Sequence, residues 1–253
     1  MGLVNVPTER QVAVINAMDK ASPRFRRPGL TVIGLTGGMA SGKSAAAAVL
    51  REALGCERID ADQVCRELLA PGQTGWLAMA AEFGDLFFLG NQNLDRVRLR
   101  RELFQDEVLR RRLDHLLHPL VKEAIANRLA AINMTGSLVV VEVPLLFEAG
   151  WQDEFDVVVV VSAGPEQCLA RLMRRDQVPR GEAEAALAAQ WPLAEKARRA
   201  RHVIDNSGDW PATRRQLLVL AELLAGQAVG AGHKNSLEKN SLEKNLDTGQ
   251  ARQ

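Results

Sequence analysis

The sequence predicts an α/β fold, a parallel sheet covered by helices on both faces. Three observations carry this expectation. Residues 137–143 and 155–161 are unbroken apolar, β-branched runs rather than alternating ones, the pattern of strands buried on both sides. Helical patterns lie before and after these runs, as in a parallel sheet with helices on either side. A third apolar run, 31–35, leads through a glycine-rich stretch into the alanine-rich helical pattern of residues 43–54.

Taken in order, residues 1–29 are polar and mixed, with a short helix expected at 9–20. Pro28-Gly29 breaks the chain before the domain starts. Residues 56–59 read as a second strand ending in Asp60-Ala61-Asp62. Residues 63–133 read as helical, with turns at Pro71-Gly72 and 90–93, and they carry a local run of arginines: Arg96, Arg98, Arg100, Arg101, Arg110, Arg111 and Arg112. His118-Pro119 is expected to divide two helices there, because the residue before proline is pushed out of the helical region. Helices follow at 165–175, 181–190 and 192–200, then a last strand at 202–204 and a closing helix at 211–224. Beyond Gly226 the chain turns polar and repeats Asn-Ser-Leu-Glu-Lys twice, so with little apolar area to bury it is expected to be disordered or transiently helical.

At 253 residues the chain is long enough for one compact domain with insertions. A net charge of +1 gives no whole-protein field that would favour nucleic acid. No apolar run approaches the ~20 residues that span a bilayer, so no membrane partner is expected. Three scattered cysteines without C-x-x-C or zinc spacing suit a reducing compartment, and the start lacks a secretory layout. Cytoplasm is the expected location.

Gly37, Gly42, Lys43 and Ser44 satisfy G-x-x-x-x-G-K-[ST] between a predicted strand and a predicted helix. Such a P-loop turns successive backbone N–H groups inward around phosphate oxygens, with the helix N-terminus behind it. Gly38, Met39, Ala40, Ser41, Gly42, Lys43, Ser44 and Ala45 are therefore the nucleotide-binding candidates. Lys43 would reach the β- and γ-phosphates, and the Ser44 hydroxyl would bind Mg²⁺ beside ATP.

Three kinds of P-loop protein compete: a small-molecule kinase, a GTPase-type switch and a motor ATPase. The guanine-reading N-K-x-D is absent, and Asp205-Asn206-Ser207-Gly208 fits D-x-x-G too late in the chain for a switch. The third strand ends in Val141-Glu142-Val143-Pro144 with a single carboxylate, unlike a motor's paired acids. A kinase needs a carboxylate beside the acceptor hydroxyl and cations over the phosphoryl group. Asp60 and Asp62 fit the first need, though a helix cap at 61–69 could employ either one, Asp60 more readily than Asp62. Arg171 and Arg175, on one helical face, fit the second as a lid, and equally read as a solvated basic face.

Leu35–Ser44 as a run, Ile59-Asp60-Ala61-Asp62, Leu117-His118-Pro119-Leu120, Val143-Pro144-Leu145-Leu146-Phe147-Glu148 and Ile204-Asp205-Asn206-Ser207-Gly208 together resemble the dephospho-CoA kinase family, over about residues 31–224. The resemblance implies ATP- and Mg²⁺-dependent phosphorylation of the ribose 3′-hydroxyl of dephospho-CoA, the last step of coenzyme A synthesis. The alternatives are another small-molecule kinase of nucleoside monophosphate type, or a non-catalytic nucleotide-binding switch. It further implies a three-layer P-loop NTPase fold with a five-stranded parallel sheet. A kinase domain would cover 30–225, with a helical CoA-binding insertion at 63–135 and a lid at about 170–200. An N-terminal extension, 1–29, and a polar tail, 226–253, lie outside it. Residue by residue, Asp62 matches the catalytic base, and Lys43, Arg171 and Arg175 the cations on the phosphates. Asp62, His118, Pro119, Pro144, Leu145 and Leu146 match the acceptor-binding region, and Asn206 lies where adenine is expected. Glu142 stands where many members have Asp, as a metal contact through water. His118 also reads as a helix-break residue, and Leu145-Leu146-Phe147 as core.

Overall fold

A computed structural model describes residues 25–132 and 137–247; the helix expected at 9–20 lies outside them. Two compact units divide the chain, Asp60–Ile132 on one side and Arg26–Ile59 with the chain after residue 133 on the other.

The larger unit is built on a five-stranded, all-parallel sheet in the order β2-β3-β1-β4-β5. The strands are β1 (Leu30–Gly37), β2 (Glu57–Asp60), β3 (Ser137–Glu142), β4 (Val157–Ser162) and β5 (His202–Asp205). β1 sits centrally, pairing Leu30 with Ser137 on β3 and Ile33 with Val157 on β4. Val32, Ile33, Leu35, Val139, Val140, Val141, Val159, Val160 and Val161 are all fully buried, so consecutive residues of one strand are covered on both faces. On one face α1 (Lys43–Leu54) contributes Ala46, Ala47 and Leu50, and α9 (Trp210–Asp247) contributes Leu217, Leu220, Ala221 and Leu224, to a single apolar cluster with the strands. The other α-helices of this unit, among the described residues, are α6 (Pro165–Asp176), α7 (Arg180–Ala188) and α8 (Leu193–Arg199).

The smaller unit is helical: α2 (Ala61–Leu68), α3 (Thr74–Phe83), α4 (Arg96–Gln105) and α5 (Glu107–Ala130). Leu69, Met79, Phe87, Leu113, Leu117 and Leu120 belong to its core. Aspartates cap the starts of α2, α4 and α5. Asp95 accepts the Arg98 N–H and Asp106 the Leu109 N–H, each at 2.9 Å, satisfying first-turn donors that have no partner within the helix.

Two expectations need correction. His118-Pro119 does not end a helix: α5 runs unbroken for 24 residues with Pro119 inside. Leu113, Leu117, Leu120, Val121 and Ile125 form a buried stripe on either side of the proline, and burying that stripe outweighs the hydrogen bond a mid-helix proline removes. The closing helix also does not stop near 224. It continues through the repeat to Asp247, a stretch in which residues 233–247 contain neither glycine nor proline and are rich in the helix formers Leu, Glu and Lys.

Candidate active site

β1 ends in the glycine loop, and α1 starts without any side-chain cap. Its N-cap is Gly42, in the left-handed region at φ 95°, with no acidic residue in the first turn. The donors of that turn, and the positive end of the helix dipole, are left for an anion. A side chain at Gly42 would be strained by its φ and would place a Cβ 2.2 Å from Asn206 Nδ2.

At the C-terminal end of β3, Glu142 is almost wholly buried and gathers three groups. Lys43 Nζ lies 3.1 Å from its Oε1. The Ser44 hydroxyl donates to the same oxygen at 2.8 Å. Arg58, on β2, donates to Oε2. Burial pushes the carboxyl's pKa up, but the Lys43 charge, the Ser44 hydrogen bond and Arg58 outweigh it and hold Glu142 below the usual carboxylate range. Glu142 is thus an anion next to both P-loop residues expected to handle phosphate and metal. Hydroxyl and carboxylate oxygens together suit a hard cation such as Mg²⁺, which takes few protein ligands and completes its shell with water and phosphate.

The lid region lies in the same unit. Arg171 and Arg175 share a face of α6, yet differ in partners: Arg171 Nη2 donates to the Asn206 carbonyl at 3.1 Å, and Arg175 Nε to Asp176 at 2.6 Å. Arg171 Nη1 is buried without a hydrogen-bond partner. Asn206 is itself buried. Its Nδ2 donates to the Ser41 carbonyl at 2.8 Å, and its Oδ1 accepts from Thr213 at 2.9 Å. Of the apolar acceptor candidates, Leu146 is fully buried and Phe147 nearly so, whereas Leu145 is 37% exposed. The Pro144 carbonyl accepts from Thr36 Oγ1 at 3.2 Å. A cavity of about 480 Å³ lies over the start of the P-loop, lined by Gly38, Met39, Gly164, Gln190, Trp191 and Leu193 among others.

Asp62, His118 and Pro119 belong to the helical unit. Asp60 is the cap of α2, accepting the Asp62 and Gln63 N–H groups at 2.9 and 3.1 Å. The ambiguity between the two aspartates is thereby resolved as far as capping goes. His118 Nε2 lies 3.7 Å from Asp114 on the preceding turn. Burial lowers the pKa of His118 below the ordinary imidazole value, against the pull of Asp114.

Sequence reasoning missed Arg58, Gln190 and Lys196. Arg58 sits within a short strand, Gln190 in the connection before α8 and Lys196 in α8, all places where a polar residue ordinarily faces water. No local pattern distinguishes them. Among the described residues no group of three or more His, Cys, Asp or Glu side chains is placed to hold a metal ion, and no helix is long and apolar enough to cross a membrane. All three cysteines are free thiols.

A parallel sheet with a central glycine-loop strand, a buried carboxylate against the loop's Lys and Ser, and an arginine-bearing helix after β4 define a P-loop kinase of small molecules. The model of the dephospho-CoA kinase family matches residues 31–211, and the chain belongs to that family. It is 42% identical over 189 residues to the dephospho-CoA kinase of Geobacillus kaustophilus, covering 74% of this chain and 94% of that protein. It is 45% identical over 192 residues to that of Geobacter metallireducens, covering 76% and 95%. The crystal structure of TT1252 from Thermus thermophilus matches with a TM-score of 0.64 and 33% identity over 78% of this chain and 99% of that one. The chain is accordingly a phosphotransferase with a nucleotide substrate.

Proposed function

We propose that this kinase moves the γ-phosphoryl group of ATP to the 3′-hydroxyl of the ribose of dephospho-CoA, giving ADP and coenzyme A. The observation that carries the reading is the Glu142–Lys43–Ser44 cluster at the mouth of the P-loop, in a chain that belongs to this family. The hydroxyl oxygen attacks phosphorus, the bond from γ-phosphorus to the bridging oxygen breaks, and ADP takes that oxygen.

Each residue acts by position and charge, since phosphoryl transfer needs little covalent help from the protein. The first-turn donors of α1 and the amides from Gly38 to Ala45 hold the phosphates. Lys43 meets the negative charge that builds on the β- and γ-phosphate oxygens. Arg171 and Arg175 add cationic groups from the lid helix, and the buried, partnerless Nη1 of Arg171 supports the first of these. Ser44 would hold Mg²⁺ directly and Glu142 through water, and the ion would neutralise phosphate charge. Asp62 accepts the proton of the attacking hydroxyl, while Asp60 caps the start of α2. Pro144, Leu145 and Leu146 are acceptor-binding residues of the larger unit, and His118 and Pro119 acceptor-binding residues of the helical one. The Asn206 side-chain amide N–H serves the P-loop, and its backbone lies beside the nucleotide. The cytoplasm is the compartment in which three free thiols are expected to persist.

Product analysis tests the reading. Purified protein with Mg-ATP should convert dephospho-CoA faster than shikimate, AMP or CMP, and faster turnover of any rival overturns the assignment. Asp62→Asn should lower kcat about 10²-fold with the fold intact; a variant that loses stability but keeps kcat removes Asp62 from the role of base.

A further inference from the structure

Lys196, on α8, is completely buried, and none of the roles above uses it. An ammonium group is costly to take out of water and stays inside a fold where partners replace its hydration. Its Nζ lies 2.6 Å from Glu148 Oε1 and donates to the Pro144 carbonyl at 3.4 Å. That same carbonyl holds the Thr36 hydroxyl, near the end of β1. Glu148 Oε1 also accepts the Trp191 backbone N–H at 3.1 Å, while Glu148 Oε2 is buried without a hydrogen-bond partner.

The connection leading into α8 reaches the P-loop as well. Gln190 Oε1 accepts the Met39 N–H at 3.0 Å. Residues 190–196 therefore grip a phosphate-loop amide at one end and the loop after β3, Pro144 to Glu148, at the other. Two apolar side chains could fill the space of Lys196 and Glu148 without the desolvation of two ions. What the ion pair adds is direction. The three ammonium donors fix the Pro144 carbonyl and the Glu148 carboxylate together, and these are the two ends of the stretch that contains Leu145 and Leu146.

We infer that Lys196 is a positioning residue for the acceptor: through Glu148 and the Pro144 carbonyl it sets the loop of Pro144, Leu145 and Leu146 in register with the P-loop. It contacts no reacting atom. The inference rests on the kinase reading and on the acceptor role of that loop, and it adds the side chains that hold the loop in place.

Lys196→Met keeps the apolar stem and removes the charge, but leaves Glu148 buried without its cation. The companion Lys196→Met/Glu148→Gln removes both charges. Initial rates are measured with dephospho-CoA and ATP varied independently, beside thermal midpoints. In the folded double variant the KM for dephospho-CoA should rise about tenfold or more, while the KM for ATP changes less than about threefold. A pair that served stability alone would lower the thermal midpoint and leave both KM values in place. A KM for dephospho-CoA within about twofold of the wild type overturns the inference, as does a double variant that cannot fold, which would mark the pair as a stability element. A wild type inactive on dephospho-CoA fails the kinase reading, and this inference with it. An active wild type beside an unchanged double variant overturns the inference alone.

Discussion

Asn206 and Ser41, 165 residues apart in the chain, are joined by a 2.8 Å hydrogen bond from the Asn206 side-chain amide to the Ser41 carbonyl. With its Oδ1 taken by Thr213, the asparagine spends its side chain on bracing the P-loop. Asn206→Ala should cost about 1–3 kcal/mol, because it leaves buried polar partners unpaired. It should also raise the KM for ATP and for GTP by similar factors, through a loosened phosphate loop. Denaturant titration and parallel kinetics with the two nucleotides check this. A change confined to the preference between bases would make Asn206 a base reader instead.

Asp60 and Asp62 should separate cleanly on substitution. Asp60→Ala removes the cap of α2 and should cost about 1 kcal/mol of stability, with a much smaller effect on kcat than Asp62→Asn. Thermal melts and saturating kinetics of the two variants, side by side, decide it.

Chelation of divalent ions should abolish turnover, and added Mg²⁺ should restore it. Ser44→Ala should then demand more Mg²⁺ for half-maximal rate, about tenfold, by losing an oxygen donor. The titration is made at saturating ATP. An unchanged Mg²⁺ requirement would take Ser44 out of the metal site.

Gly34, in the middle of β1, lies under the ring of Phe155: a Cβ there would come within 2.7 Å of the ring. Phe155 is itself buried, so the ring has little room to yield. Gly34→Val should destabilise by about 1–3 kcal/mol through overpacking. Equilibrium unfolding measures the loss.

His202 gives the protein an acid-side weakness. Its Nε2 is buried without a hydrogen-bond partner, and burial, with Arg201 beside it, lowers its pKa below the ordinary imidazole value. The unfolded chain therefore takes up the proton first as pH falls. The His202 contribution is fully present above about pH 6.5 and is lost as pH drops through that value toward the folded pKa. Melting temperatures of the wild type and His202→Gln at about pH 7.5 and pH 5.5 should show a smaller fall in the variant.

What the sequence made legible was whatever follows from local chemistry or short-range order. The strands stood out because consecutive valines such as Val139, Val140 and Val141 are all buried, and the P-loop because its function needs glycine and lysine at fixed spacing. Sequence leaned toward Asp60 as the cap and Asp62 as the base but could not decide it, since capping depends on which carboxylate the backbone turns toward the Gln63 amide. Pro119 misled because a local rule was overruled by the buried stripe that continues on both sides of it. Arg58, Gln190 and Lys196 were invisible for a different reason: their partners, Glu142, Met39 and Glu148, are distant in the chain, and only the folded topology brings them close.

The central strand takes its partners from far downstream. The Val32 N–H finds Asp156 after 124 residues, and the Thr36 hydroxyl finds Pro144 after 108. Closing such loops costs chain entropy before any contact repays it, and it slows folding. While the chain is being made, β1 has no partner strand until β3 has left the ribosome, and gains its second only with β4. The stretch easiest to recognise in the sequence is thus among the last to take its working shape, and ATP can stabilise the domain only after that.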